Sequence, residues 1–95
     1  MTTSTERRLV SLKREVAAAA AELYDEIWAG IVAAATATGA HAWRFSAASD
    51  PTLRLEFLEF KAGADPRSAT EAGALLGRLD REIAPAIVEE WLEDR

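Results

Sequence analysis

A chain of 95 residues and 10.3 kDa is the size of one domain, and its 49% apolar and 28% charged content is that of a globular fold. The absence of cysteine excludes a disulfide framework, a thiolate zinc site, an iron–sulfur cluster and a cysteine nucleophile. Sixteen acidic against 11 basic residues leave a net charge of −5, which opposes broad nucleic-acid binding.

No run approaches the roughly 20 apolar residues of a membrane helix, so no membrane partner is expected. The opening MTTSTERR has no apolar stretch behind its charges, unlike a signal peptide. The chain therefore reads as a cytoplasmic protein, one domain over 1–95 with residues 1–5 as a flexible tail.

Residues 6–16 satisfy two patterns. Leu9, Leu12 and Val16 keep helical spacing, whereas Arg8, Val10 and Leu12 alternate in part like a short edge strand. From about Glu15 to Thr38 an alanine-rich helix is predicted, with Leu23, Ile27 and Ile31 every four residues and Val16, Ala20 and Trp28 beside them. Gly39 stands where a left-handed C-terminal cap belongs.

Two alternating runs follow. His41, Trp43 and Phe45 interleave with Ala42, Arg44 and Ser46; Ser49-Asp50-Pro51 supplies turn chemistry; Leu53 to Lys61 (LRLEFLEFK) alternates again. A hairpin that sets Ala47 opposite Leu53 also sets His41 opposite Glu59, Trp43 opposite Phe57 and Arg44 opposite Glu56. Its faces are then His41, Trp43, Phe45, Leu55, Phe57 and Glu59 against Ala42, Arg44, Glu56, Leu58 and Phe60. Both carry large apolar groups, so each needs a cover.

After the loop Ala62–Arg67, Ser68 with Glu71 forms a capping box for a second helix bearing Leu75, Leu76, Leu79 and Ile83. Gly73 and Gly77 weaken that helix but permit close packing. Pro85 interrupts the pattern. Beyond it, residues 86–92 read either as a new helical turn, favoured by Glu89, Glu90 and Glu93, or as a closing strand, favoured by Ile87, Val88 and Trp91.

The helix ending ATATGAHAWRF, the turn SAASDPT and the strand LRLEFLEFK resemble the dimeric α/β-barrel superfamily, which includes antibiotic-biosynthesis-monooxygenase-like domains. The likeness spans about Glu15 to Ile83 and rests on fold features, with no family catalytic motif intact. It implies an α+β, ferredoxin-like β-α-β-β-α-(β) module whose sheet packs against that of a second copy, with a small apolar or aromatic ligand inside. If both ends are helical, the fold becomes α-β-β-α instead.

His41, the single histidine, is a candidate proton shuttle or haem ligand with Glu59 orienting it; the plainer reading is an ordinary strand histidine. Arg44, with Glu56, is a candidate for positioning a substrate carboxylate or phenol, against the commoner cross-strand salt bridge. Tyr24, Trp28, Trp43, Phe45, Phe57 and Glu59 are candidate ligand-binding residues, though aromatics at these spacings more often serve the core. Glu22, Asp25 and Glu26 read as a solvated helix face, and no metal site is expected. The residues themselves call for no cofactor; the resemblance leaves haem or flavin open.

The reading favoured is a homodimeric module that is non-catalytic or binds a small apolar ligand. Its rivals are a cofactor-independent monooxygenase or isomerase-like enzyme on an aromatic or polyketide-like substrate, and a helix-rich interaction module.

Overall fold

The computed structural model describes residues 6–94, so the expected tail over residues 1–5 lies outside the described residues. Six principal elements follow in order: β1 (Arg7–Glu15), α1 (Ala21–Ala37), β2 (His41–Ser46), β3 (Leu53–Lys61), α2 (Thr70–Arg78) and β4 (Ile87–Leu92). The strands form one sheet in the order β2-β3-β1-β4, with every neighbouring pair antiparallel.

Both ambiguous ends are strands, which removes the α-β-β-α fold and with it the helix-rich module. β1 is a central strand, bonded to β3 along one edge and β4 along the other. Two ladders of backbone hydrogen bonds outweigh the helical spacing of Leu9, Leu12 and Val16. Alternation then buries Val10, Leu12 and Arg14 on one face. β4 is an edge strand whose glutamates reach solvent, so their helix preference decides nothing there.

The first helix consequently starts later than expected. Val16 still donates its amide to Thr52 at 2.7 Å, continuing β1, and a single 3-10 turn at Ala18–Ala20 leads into α1. The buried stripe is Tyr24, Ile27, Trp28, Ile31 and Ala35, whereas Leu23 is left exposed. Gly39 takes the expected left-handed conformation at φ 85°, and Ala40 then donates to the Ala35 carbonyl at 3.0 Å.

The capping box at Ser68 is not formed. Asp65 caps first, its carboxylate accepting from the Arg67 amide at 2.9 Å, and Pro66 initiates a 3-10 turn that includes Ser68. α2 begins one residue later, behind Ala69, with no side-chain cap. Its far end widens into a π-turn at Leu79–Ile83, where Ala84 donates to the Leu79 carbonyl at 3.0 Å.

The helices cover one face of the sheet. Tyr24, Ile27, Trp28 and Ile31 of α1, with Leu76 of α2 and Leu79 beyond it, meet Val10, Leu12, Leu58 and Phe60. Glycine at position 30 lets α1 approach α2, since a Cβ there would sit 3.1 Å from Leu75 Cδ1. No helix among the described residues is long and apolar enough to cross a membrane.

Candidate functional site

The hairpin register places His41 opposite Glu59, Trp43 opposite Phe57, Arg44 opposite Glu56 and Phe45 opposite Leu55, as the alternation predicts. The candidate residues therefore divide between two faces. Tyr24, Trp28 and Arg44 lie between sheet and helices; His41, Trp43, Phe45, Phe57 and Glu59 lie on the outer face. His41 and Arg44 do not meet.

Beneath the helices, a charged network occupies the interior. Arg14 donates from Nε to Glu56 Oε2 at 2.8 Å, and from Nη1 to Asp80 at 2.8 Å and to the Ala84 carbonyl at 2.6 Å. The π-turn serves this contact, because Asp80 and Ala84 belong to it or adjoin it. The Tyr24 hydroxyl donates to the same Glu56 oxygen at 2.8 Å. Burial works against the charge on Arg14, yet its bonds to Glu56 and Asp80 together hold its pKa above the ordinary value. Burial, then the Glu56 charge, pushes the Tyr24 phenol well above its ordinary 10.0, so it stays a neutral donor.

This corrects the expected Arg44–Glu56 bridge. Glu56 is taken by Arg14 and Tyr24, while Arg44, on an edge strand, reaches Asp25 of α1 at 2.9 Å. Asp25 is thus an ion-pair partner, not merely part of a solvated face. The Arg44 guanidinium stacks 4.9 Å from the Tyr24 ring centre and 5.8 Å from that of Trp28. Tyr24 and Trp28 accordingly belong to the core between helix and sheet.

Among the described residues, nothing covers the outer face. Its three rows, read across β2, β3, β1 and β4, are His41–Glu59–Leu9–Trp91, Trp43–Phe57–Ser11–Glu89 and Phe45–Leu55–Lys13–Ile87. Trp43 stacks on Phe57 at 5.7 Å, and Phe45 meets Phe57 edge-on at 5.9 Å. Ile87 is 70% exposed, Phe45 55% and Trp91 50%.

Polar side chains hold five of these twelve positions, His41, Glu59, Ser11, Glu89 and Lys13. Trp91 Nε1 donates to Ser11 Oγ at 3.1 Å. Arg7 pairs with Glu59 at 3.0 Å and with Glu93 at 3.6 Å, so Glu59 faces a guanidinium as well as its cross-strand neighbour His41. Open hollows of about 260, 410 and 370 Å³ indent the sheet near its ends. Among the described residues, no three metal-ligating side chains gather. Lys13, Ile87 and Trp91 were not singled out from the sequence as site residues. Reading β1 and β4 as strands would have placed all three on the outer face.

A β-α-β-β-α-β chain with this strand order is a ferredoxin-like module, the fold of antibiotic-biosynthesis-monooxygenase-like domains. Among solved structures it is similar to a conserved protein of unknown function from Bacteroides thetaiotaomicron, described as a possible oxidoreductase. That match has 12% identity and a TM-score of 0.79, over 94% of this chain and 99% of the other. It is also similar to a candidate antibiotic biosynthesis monooxygenase from Nitrosomonas europaea, at 10% identity and a TM-score of 0.73, over 100% of this chain and 95% of the other. No protein-family model and no curated protein matches the chain.

Proposed function

We propose that the protein is a homodimeric α/β-barrel module, formed when the outer face of its sheet packs against that of a second copy, and that the space enclosed takes a small apolar or aromatic ligand. One observation carries the reading: the face opposite the helices leaves Trp43, Phe45, Leu55, Ile87 and Trp91 exposed together. A contiguous apolar surface of this kind marks an interaction site. The stacked Trp43 and Phe57 rings supply the flat walls such a ligand would need.

The solution mass tests it. Light scattering is expected to give about twice 10.3 kDa for the wild type, and Phe45→Glu to give a monomer, since it buries a charge at the interface. A wild type that stays monomeric at high concentration sinks the reading.

The likeness to the Nitrosomonas europaea protein favours a second reading, in which the same interior performs a monooxygenase- or isomerase-type reaction on an aromatic substrate. His41, exposed on that face, is then the group that moves a proton. His41→Ala is expected to abolish turnover and leave the dimer intact; unchanged turnover rejects the role.

A further inference from the structure

Lys13 is a cation on the outer face, on the central strand β1 and towards one end of the sheet. It stands in the row Phe45–Leu55–Lys13–Ile87, with an apolar neighbour on each side across the sheet. It is exposed, and no carboxylate among the described residues lies within ion-pair distance of it. The other carboxylates nearby are Glu15, two residues along β1, and Glu89, which faces Ser11 on the adjacent row.

The hollow of about 410 Å³ beside Lys13 lies within the range of roughly 300–1,000 Å³ typical of small-molecule sites. Phe45, Leu53 and Leu55 form its apolar wall. Among the described residues, Lys13 and Arg54 are its charged lining residues and no carboxylate lines it. Arg54 is already engaged, donating to the Pro51 carbonyl at 2.8 Å and stacking 5.1 Å from the Tyr24 ring centre. The hollow at the opposite end differs, because Arg7, Glu59 and Glu93 neutralise one another there. Lys13 also lines the neighbouring hollow of about 370 Å³, where Glu15 is present.

We propose that the hollow of about 410 Å³ binds a planar apolar molecule bearing an acidic group, a carboxylate or an ionised phenol or enol, with the Lys13 ammonium donating to the anion and Phe45 and Leu55 contacting the ring. The proposal rests on the reading that the outer face is a ligand-binding interior, and it narrows the ligand from apolar to anionic and aromatic. A charged partner supplies what the neutral walls lack: a direction for the ligand's polar end.

Calorimetric titration with naphthoate and with methyl naphthoate, on samples whose mass is measured by light scattering, tests the proposal. The wild type is expected to prefer the acid by about tenfold or more, the size of one charge-assisted hydrogen bond. Lys13→Met is expected to erase that preference while keeping the ester's affinity, and Lys13→Arg to retain it. Phe45→Ala is expected to weaken both compounds.

A dimer that binds neither compound, binds both equally, or keeps its preference in Lys13→Met overturns the site and leaves the barrel standing. A monomer with a Lys13-dependent preference keeps the site and overturns the barrel. Loss of the dimer in Lys13→Met also overturns the site, because Lys13 would then pair with a carboxylate of the second copy.

Discussion

Arg14 Nε lies 2.8 Å from Glu56 Oε2, and both side chains are wholly shielded from solvent. β1 and β3 hold the two side by side on the inner face, two residues apart in the strand register, since Arg14 faces Arg54 and Glu56 faces Leu12. Glu56 Oε1 and Arg14 Nη2 have no hydrogen-bond partner among the described residues. A pair so placed contributes little net stability but is costly to break. Glu56→Leu alone is expected to destabilise by about 3–5 kcal/mol, because buried Arg14 loses its fully buried counter-charge, keeping only Asp80 and the Ala84 carbonyl, and the buried Tyr24 hydroxyl loses its acceptor. Arg14→Met with Glu56→Leu is expected to cost much less than the sum of the two single changes. Urea denaturation of the three variants checks it, and additive losses would contradict it.

The phenol of Tyr24 makes stability depend on alkaline pH. Its pKa is raised in the folded state, so its contribution is fully present below the unfolded value of 10.0 and is lost as pH rises toward the folded value. Over that interval the unfolded chain releases the proton while the folded chain keeps it. Tyr24 is the only tyrosine, so phenolate absorbance reports it alone. The folded protein is expected to show no phenolate at pH values where the urea-unfolded chain is half ionised. Tyr24→Phe should flatten the fall in stability above about pH 10.

Gly73 tests close packing against helix propensity. An added Cβ would stand 2.6 Å from the backbone oxygen of Arg67. On propensity alone, Gly→Ala inside α2 would stabilise by about 1 kcal/mol. The clash reverses the sign, and Gly73→Ala is expected to lower stability by about 1–3 kcal/mol. A higher thermal midpoint in that variant would show that the loop yields.

Trp43 offers a check on association that does not need a charged substitution. It is 37% exposed and stacked on Phe57. In a dimer built on this face, the unfolding midpoint of the wild type rises with protein concentration. Trp43→Ala is expected to remove most of that rise. A midpoint independent of concentration in both proteins argues against the interface.

Local chemistry was enough to determine the middle of the chain. Asp50 accepts from the Thr52 amide at 3.0 Å and from its hydroxyl at 2.6 Å, which is the turn that Ser49-Asp50-Pro51 announces. Gly39 adopts the backbone only glycine takes freely, and period-two alternation assigned each hairpin residue to its face. These features depend on residues close in sequence, so the amino-acid order alone determines them.

Tertiary structure decided the rest. Whether residues 6–16 and 86–92 were strands turned on each other, since β4 pairs with β1 from the far end of the chain. The hairpin register pairs Glu56 with Arg44, but the packing of α1 and the π-turn gives it Arg14, 42 residues away, and leaves Arg44 to Asp25. The aromatic residues could not be sorted into core and exposed surface until the helices had chosen one side of the sheet. Local preference is worth tenths of a kilocalorie per residue, whereas ladder pairing and burial act over whole elements, so the distant contacts prevail wherever the local signals balance.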